Sequence, residues 1–220
     1  MVSLALLGIV VIAVWALAEL TEEVVEGDTS TLDRTILLAL RTTGDLGNPV
    51  GPPWMEEMGR DLTALGGVAV LGLTTVVVAV YFLLRRDWAQ GIYILVTVGG
   101  GIAISSLAKD FFGRPRPDLV PYGSIVHTAS FPSGHSMMAA VAYLTLGVLI
   151  ARLQPRLMLK VYTLSVAVLL TVLVGISRVY MGVHWPTDVL AGWLAGGAWA
   201  MVCVMAARWL VHPGRAARDG

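Results

Sequence analysis

Six apolar runs divide the chain, and the shorter segments between them carry most of its charged residues. A helix needs about 20 mostly apolar residues to cross roughly 30 Å of hydrocarbon. The runs cover residues 2–20, 64–84, 89–108, 135–153, 157–177 and 189–210. This pattern predicts an all-α membrane protein, a bundle of six transmembrane helices that forms a single domain over residues 1–220. The first run is interpreted as a span and not as a signal peptide, because no Lys or Arg precedes it.

The first loop, residues 21–63, carries a weaker pattern of its own. Apolar residues recur at helical spacing before a Gly/Pro-rich turn at 44–53, and a second short apolar stripe follows that turn. The pattern predicts a pair of short interfacial helices that cap the bundle, with the lining of a lipid access route as the alternative. The residues of the two stripes are Leu32, Ile36, Leu37 and Leu40, then Trp54, Met55 and Met58.

Charged residues in the loops predict the orientation. The first loop is acidic, with nine Asp and Glu residues against three Arg, whereas basic residues follow the second, fourth and sixth runs. Lys and Arg in short loops mark the cytoplasmic side. We therefore expect a multi-pass protein of the cytoplasmic (inner) membrane, with cytoplasmic termini and the first loop on the periplasmic or extracellular side. The basic residues are Arg85, Arg86, Arg152, Arg156, Lys160, Arg208, Arg215 and Arg218.

The composition agrees with a membrane protein and narrows the partners. Hydrophobic residues make up 56% of the chain and the mean hydropathy is +0.76, which excludes an ordinary soluble domain. The bilayer is therefore the expected environment. The formal net charge is zero, so the total charge gives no reason to expect a nucleic-acid partner. A single cysteine, Cys203, excludes an intramolecular disulfide. The oligomeric state is not predicted.

Three polar segments that are far apart in sequence fall on the outer side of the predicted bundle. They are residues 109–118 after the third run, 131–135 before the fourth, and 177–188 between the fifth and sixth. Counting the spans places all three at one level of the membrane. Together they supply three cations, two histidines and a carboxylate: Lys109, Arg116, Arg178, His135, His184 and Asp188.

This set of side chains fits an anionic phosphate. Guanidinium groups pair with phosphate oxygens in bidentate fashion, and an ammonium adds a point charge. Ser133 is expected to be the N-cap of the fourth helix and Gly134 to allow close backbone approach, so the free amides there form an anion site. His184 and Asp188 are four residues apart. If Asp188 opens the next helix, its carboxylate can turn back to the imidazole and fix its tautomer.

The same side chains indicate a mechanism class. No further cluster of carboxylates or cysteines with metal-ligand spacing accompanies them, so we expect no metal. The chemistry indicated is phosphoryl transfer through a histidine and not metal-assisted hydrolysis. For Arg114 and Asp118 a solvated structural role is preferred to contact with substrate. His127 and His212 are interpreted as surface residues.

The spacing of these residues resembles a known signature. Lys109 is followed after six residues by Arg116-Pro117, then comes Pro132-Ser133-Gly134-His135, and Ser177-Arg178 is followed after five residues by His184 and after three more by Asp188. This resembles the three-part signature of the type 2 phosphatidic acid phosphatase superfamily, with every position filled. The layout of six spans is similar to the membrane branch of that superfamily.

The resemblance implies roles for each matched position. It implies that His184 is the nucleophile that forms a phosphohistidine and that Asp188 orients it. His135 would be the general acid that protonates the leaving oxygen and later helps to activate water. The phosphate would be held by Lys109, Arg116, Arg178, the Ser133 side chain and the Gly134 amide. Neither a metal nor another cofactor is implied.

The resemblance also implies the substrate class. Substrates of the membrane branch are lipid phosphates and diphosphates, namely phosphatidic acid, phosphatidylglycerol phosphate, undecaprenyl diphosphate and the lipid A 1-phosphate. A site on the outer face favours hydrolysis of undecaprenyl diphosphate or phosphatidylglycerol phosphate. A phosphotransferase that uses an acceptor other than water shares all these residues. A lipid or anion transporter is the alternative from another class, but only Gly99-Gly100-Gly101 resembles the broken spans of a carrier.

Overall fold

The computed structural model describes residues 2–118 and 128–211, which form eight helices and one two-stranded hairpin. Five of the helices are long and apolar enough to cross a membrane. Helices α3 and α4, joined at a bend, pass the same test together and add a sixth span if the pair crosses the membrane as one. The predicted helical membrane bundle is therefore confirmed, with five or six spans and a short β-hairpin among the described residues. The elements are α1 (Val2–Glu26), α2 (Ser30–Ala39), β1 (Arg41–Thr42), β2 (Asp45–Pro49), α3 (Pro53–Leu65), α4 (Val68–Leu84), α5 (Trp88–Phe112), α6 (Gly134–Leu153), α7 (Leu157–Tyr180) and α8 (Pro186–Val211).

Several helices extend beyond their apolar runs. The third run was predicted to end at residue 108, but α5 continues to Phe112, and α7 continues three residues past the predicted end at 177. Helix α8, which corresponds to the sixth apolar run, begins at Pro186, three residues before the predicted start. Charged residues remain helical where the chain leaves the hydrocarbon. As a result Lys109 and Arg178 lie in the last turns of their helices and Asp188 lies in the first turn of α8.

The second predicted span is the one that differs most from expectation. Helix α4 has only 17 residues, which is about 25 Å of helix. The chain reaches it through α3, at a bend of 42°. The bend lies at Gly66 and Gly67, where the chain passes very close to α6 and α7. A Cβ on Gly66 would lie 2.4 Å from Cγ1 of Val174 and 3.2 Å from the carbonyl oxygen of His135.

The first outer loop forms the predicted helix pair, α2 and α3, with a short antiparallel hairpin between them. The turn predicted at 44–53 is thus partly wrong, because Asp45–Pro49 form strand β2 opposite β1. The loop is fastened to the bundle by hydrogen bonds. Arg41 donates a hydrogen bond to the Tyr180 carbonyl at the end of α7. The Tyr180 hydroxyl in turn donates to the Val50 carbonyl at 2.9 Å. Tyr143 donates to the Leu65 carbonyl at 2.8 Å, at the C-terminus of α3.

Helix α6 lies at the centre of the bundle, between α7 and α8, and small residues allow this close packing. A Cβ on Gly147 would lie 2.7 Å from the Cβ of Ala167 in α7. A Cβ on Gly196 would lie 2.5 Å from the carbonyl oxygen of Met137. Large apolar side chains instead cover the outward faces of the helices, as a bilayer requires. The arrangement fixes the N-terminus of α6 against the N-terminus of α8.

Candidate active site

The structure brings the three polar segments together at one end of the bundle. The segments are supplied by the end of α5, the start of α6, the end of α7 and the start of α8. A Cβ on Gly134 would lie 3.1 Å from Nζ of Lys109, and Nη1 of Arg116 lies 3.2 Å from Nε2 of His184. Lys109 interacts electrostatically with Arg116 and Arg178. Residues that lie up to 79 positions apart in the sequence thus surround one small volume.

His184 and Asp188 form a buried pair. Nδ1 of His184 lies 3.3 Å from Oδ2 of Asp188, and the two side chains are 1% and 0% exposed. The pair forms because α8 begins at Pro186, which puts Asp188 in the first turn with its carboxylate turned back. The same Oδ2 accepts a hydrogen bond from the Trp185 amide at 3.0 Å. The contact that the spacing of four residues predicted is therefore present.

Two further side chains hold Asp188, and the sequence did not single out either of them for this role. The Ser130 hydroxyl donates to Oδ2 of Asp188 and also lies 3.3 Å from Nδ1 of His184. Nη1 of Arg114 donates to Oδ1 of Asp188 at 2.6 Å. The predicted solvated role of Arg114 is wrong, since its side chain is only 15% exposed. It is buried because it bridges Asp188 and Asp33, whose Oδ2 lies 2.8 Å from Nη2.

Arg116 is held in a fixed orientation over His184. Its Nε donates to the Thr128 carbonyl at 3.1 Å and its Nη2 to the Thr128 hydroxyl at 3.2 Å. Nη1 donates to the Val183 carbonyl at 3.0 Å as well as facing the imidazole. The guanidinium is therefore positioned before any substrate binds, which lowers the entropic cost of using it to bind an anion.

Lys109, Arg178 and His135 supply the rest of the polar surface. The buried Nε of Arg178 has no hydrogen-bond partner among residues 2–118 and 128–211. A buried donor of this kind is costly unless a ligand or water pairs with it. His135 lies in the first turn of α6 and interacts electrostatically with His184 and Arg178.

Ser133 is the N-cap of α6, as predicted. Its Oγ accepts hydrogen bonds from the amide and the hydroxyl of Ser136, at 3.5 and 2.9 Å, and its amide donates to the Asp188 carbonyl at 2.9 Å. The side chain is fully buried. Gly134 follows it on the cavity wall, at the end of the helix where backbone amides have no partner within the helix. These amides and the dipole of α6 favour an anion there.

A cavity of about 980 Å³ leads to this site. One end is polar and includes Lys109, Arg116 and His135, whereas the other end lies between α4, α5 and α6 and is apolar. The apolar wall gives the cavity room for more than a phosphate group. Its apolar residues include Val68, Leu71, Val98, Ile102 and Met138.

The imidazole of His184 is in the neutral form at neutral pH. Burial lowers the pKa of His184 to about 4, although the hydrogen bond to Asp188 acts in the opposite direction. A neutral ring with Nδ1–H directed at Asp188 keeps a lone pair on Nε2. That nitrogen lies 3.2 Å from Nη1 of Arg116 and accepts its hydrogen bond.

The remaining predicted residues lie elsewhere. Asp118 is exposed and lies at the mouth of the cavity, so its predicted solvated position agrees with the structure. Cys203 is buried in α8. His127 and His212 lie outside the described residues. Within the described parts of the chain, no group of three or more His, Cys, Asp or Glu residues is arranged to hold a metal ion.

Four residues of the site were missed as site residues or given the wrong role: Asp33, Arg114, Thr128 and Ser130. The sequence offered a reason to place Arg114 in the site, because it lies two residues before Arg116 in the segment that follows α5. Asp33 had none, since it was one of nine acids in the first loop and its partners are far away in sequence. Thr128 and Ser130 lie shortly before α6, and their positions depend on the tertiary fold.

The fold and the site define a membrane-integral lipid phosphatase. Residues 90–211, more than half of the chain, match the PAP2 superfamily. The chain belongs to this superfamily, and the resemblance seen in the three motifs is confirmed.

Similar proteins agree with this assignment. The chain is 38% identical over 148 residues to phosphatidylglycerophosphatase B of Bacillus subtilis, with 66% of this chain and 71% of that protein covered. It is 31% identical over 192 residues to a lipid A 1-phosphatase of Rhizobium johnstonii, with 77% and 74% covered. The crystal structure of a transmembrane PAP2-type phosphatidylglycerolphosphate phosphatase from Bacillus subtilis matches with a TM-score of 0.79 and 30% identity, over 89% of this chain and 94% of that one.

Proposed function

We propose that this phosphatase hydrolyses a lipid phosphate through a phosphohistidine on His184. The observation that carries the proposal is the placement of His184, with one ring nitrogen on Asp188 and the other beneath Arg116. A phosphoryl group bound at Lys109, Arg116 and Arg178 would have its charged oxygens neutralised. Nε2 would then be the attacking atom.

The proposed reaction has two steps. In the first, Nε2 of His184 attacks phosphorus, and the bond from phosphorus to the leaving oxygen breaks; that oxygen is the lipid alcohol oxygen of a monoester or the bridging oxygen of a diphosphate. His135, which takes up a proton when the anionic substrate binds beside it, gives that proton to the leaving oxygen. In the second, a water molecule attacks the phosphohistidine and loses a proton to His135, and the bond from phosphorus to nitrogen breaks. Inorganic phosphate and the dephosphorylated lipid are released. Asp188 stabilises the positive charge on the imidazole in both steps.

The proposed substrates are phosphatidylglycerol phosphate and undecaprenyl diphosphate. The cavity supports a lipid substrate, because its apolar wall continues from the phosphate site between α4 and α5. A phosphorylated lipid could thus keep its chains against apolar side chains while its head group reaches the cations. The similarity to phosphatidylglycerophosphatase B of Bacillus subtilis supports phosphatidylglycerol phosphate.

The first experiment is a lipid panel assayed with purified wild type and His184→Ala, in the presence of a chelator. The panel contains phosphatidic acid, phosphatidylglycerol phosphate, undecaprenyl diphosphate and lipid A 1-phosphate. Phosphate release by the wild type alone is the expected result. Asp61→Asn serves as a matched control, since Asp61 is an exposed residue of α3.

The outcomes of this panel separate the alternatives. Release by both proteins would show that His184 is not the nucleophile. Loss of lipid phosphate without release of inorganic phosphate would indicate transfer to an acceptor other than water. No turnover of any lipid would contradict the proposed substrates, and a liposome transport assay would then test the transporter alternative.

We also propose that the site faces the periplasmic or extracellular side and that the termini are cytoplasmic. The asymmetric distribution of basic residues supports this orientation. It is tested with single cysteines in a Cys203→Ala background, one at Asp28→Cys in the acidic first loop and one at Pro155→Cys between α6 and α7. A membrane-impermeant maleimide added to intact cells should label only the first. Labelling of only the second cysteine would show that the orientation is the opposite of the one proposed.

A further inference from the structure

A buried carboxylate from the first outer loop reaches the candidate active site. Asp33 lies on α2 and is 0% exposed. Its Oδ2 accepts hydrogen bonds from Nη2 of Arg114 at 2.8 Å and from the Thr187 hydroxyl at 2.6 Å. Its Oδ1 accepts one from the Thr187 amide at 3.0 Å. A buried charge is tolerated only when it is paired and hydrogen-bonded, and all these partners belong to the site.

Arg114 joins this carboxylate to the one that faces His184. Nη2 binds Asp33, while Nη1 binds Oδ1 of Asp188 at 2.6 Å and the Thr187 hydroxyl at 2.9 Å. A planar guanidinium that binds two carboxylates at once has little freedom to rotate. Asp33 therefore limits where Arg114 can place its Nη1 atom, and with it the Asp188 carboxylate.

Asp33 also fixes the start of α8. Thr187 follows Pro186, the first residue of that helix, so its amide has no partner within the helix. Asp33 supplies the missing acceptor from a position 154 residues away in the sequence. A carboxylate at this end of the helix also interacts favourably with the helix dipole. The first turn of α8, which carries Asp188, is thereby held from outside the helix.

We propose that Asp33 is a positioning residue for the reaction: through Arg114 and Thr187 it orients Asp188 and so the imidazole of His184. The inference rests on the roles proposed above for His184 and Asp188. Asp33 is fully buried and does not line the substrate cavity, so we expect its loss to lower kcat more than it raises KM. The outer loop is in this way a working part of the site.

The test is a double-mutant cycle with Asp33→Asn and Asp188→Asn, measured on the lipid that the wild type hydrolyses fastest. Asn is isosteric and keeps an acceptor for the Thr187 amide, but it loses the charge that Arg114 pairs with. We expect kcat of Asp33→Asn to fall by about tenfold to a hundredfold, since small displacements of reacting groups have effects of that size. We expect its KM to change by less than about threefold.

The double-mutant cycle tests whether the effect of Asp33 on kcat depends on Asp188. Residues that act on one another give non-additive losses. The double variant should therefore lose no more than about threefold beyond Asp188→Asn alone. Asp61→Asn, an exposed aspartate of the same outer loop, is the matched control and should retain wild-type kcat and KM. Thermal unfolding of each purified variant checks that it is folded.

Three results would overturn the inference. The first is a loss of kcat in the double variant that equals the product of the losses in the two single variants. The second is a rise in KM of Asp33→Asn at unchanged kcat, and the third is wild-type kinetics for Asp33→Asn. If Asp188→Asn itself keeps wild-type turnover, the proposed roles of the pair fail first, and the positioning role falls with them. If Asp33→Asn does not fold, Arg114→Lys replaces it, because a lysine keeps the charge but cannot bind both carboxylates. The same lack of additivity with Asp188→Asn is expected.

Discussion

Nη1 of Arg116 lies 3.2 Å from Nε2 of His184, the ring nitrogen opposite to the one that faces Asp188. The cation lies beside the nitrogen that the proposed attack uses, so a bound phosphate oxygen would replace Nε2 as the acceptor of the Nη1 proton and free its lone pair. A phosphate oxygen that binds this guanidinium would bring phosphorus next to Nε2. Contacts with Thr128 and Val183 keep the guanidinium there.

The first prediction concerns the shape of that cation. Arg116→Lys keeps the charge but cannot maintain contacts to Thr128, Val183 and the substrate at once. Charge-assisted hydrogen bonds contribute about 1.5–3 kcal/mol each, so kcat/KM should fall by about tenfold to a hundredfold. The measurement is steady-state kinetics with a lipid phosphate in detergent. Arg60→Lys is the control, because Arg60 is 62% exposed on α3 and should give wild-type values. Wild-type kinetics for Arg116→Lys would show that Arg116 does not bind the substrate phosphate.

The second prediction tests His135 as the general acid. A lipid alcohol is a poor leaving group that needs a proton, whereas an activated aryl phosphate needs little protonation. General acid catalysis contributes about 10²–10⁴-fold, so His135→Ala should lose far more activity with the lipid than with the aryl phosphate. The measurement is the ratio of kcat/KM for the two substrates. His184→Ala is the comparison and should lose both activities equally, as expected for a nucleophile. Equal losses in His135→Ala would contradict the general-acid role.

The sequence predicted the parts of this site that depend on local spacing. Asp188 lies one helical turn after His184, so a helix that starts between them is enough to bring the two together. Ser133 behaves as its position before Gly134 suggested, because an N-cap is a local structure. Five of the six spans followed from apolar length, although charged residues that continue the helices were not recognisable as helical.

What the sequence could not predict depends on tertiary contacts. Asp33 gains its role from Arg114 and Thr187, which are 81 and 154 residues away. The bend between α3 and α4 follows from the close approach of Gly66 to Val174 and His135, which no local pattern reveals. Arg114 was predicted to have a solvated structural role, with contact to substrate as the alternative. Its two carboxylate partners could be identified only from the fold.

The third prediction concerns the protonation of His184. Burial lowers the pKa of His184 to about 4 from its ordinary value of 6.5, and the hydrogen bond to Asp188 partly offsets this. Nuclear magnetic resonance of protein with ¹³C-labelled histidine should therefore show one ring that titrates near pH 4. His184→Ala, which should lack that signal, assigns it. In Asp188→Asn the midpoint should move to lower pH, because an interaction that raises the pKa is lost. A midpoint near 6.5 in the wild type would contradict the buried position of the ring.

The same shift has a consequence for stability. The unfolded chain binds a proton at His184 near pH 6.5, whereas the folded chain does so only near pH 4. The neutral ring therefore contributes stability that is fully present above pH 6.5 and is lost as the pH falls towards 4. Thermal unfolding at pH 7 and pH 5 should show a drop for the wild type. His184→Gln should show a smaller drop, and an equal drop would assign the effect to other groups.

The last prediction compares two neighbouring glycines in α8, Gly196 and Gly197. A Cβ on Gly196 would lie 2.5 Å from the carbonyl oxygen of Met137 and 2.8 Å from the Cβ of Ala140, so Gly196→Ala must push α6 and α8 apart. Overpacking of this kind costs about 1–3 kcal/mol. At Gly197 the nearest atom, Cδ1 of Leu144, is 4.0 Å away, so Gly197→Ala should be tolerated. Thermal unfolding in detergent should show a lower midpoint for Gly196→Ala only. Equal midpoints for both variants would mean that α6 and α8 are not packed this closely.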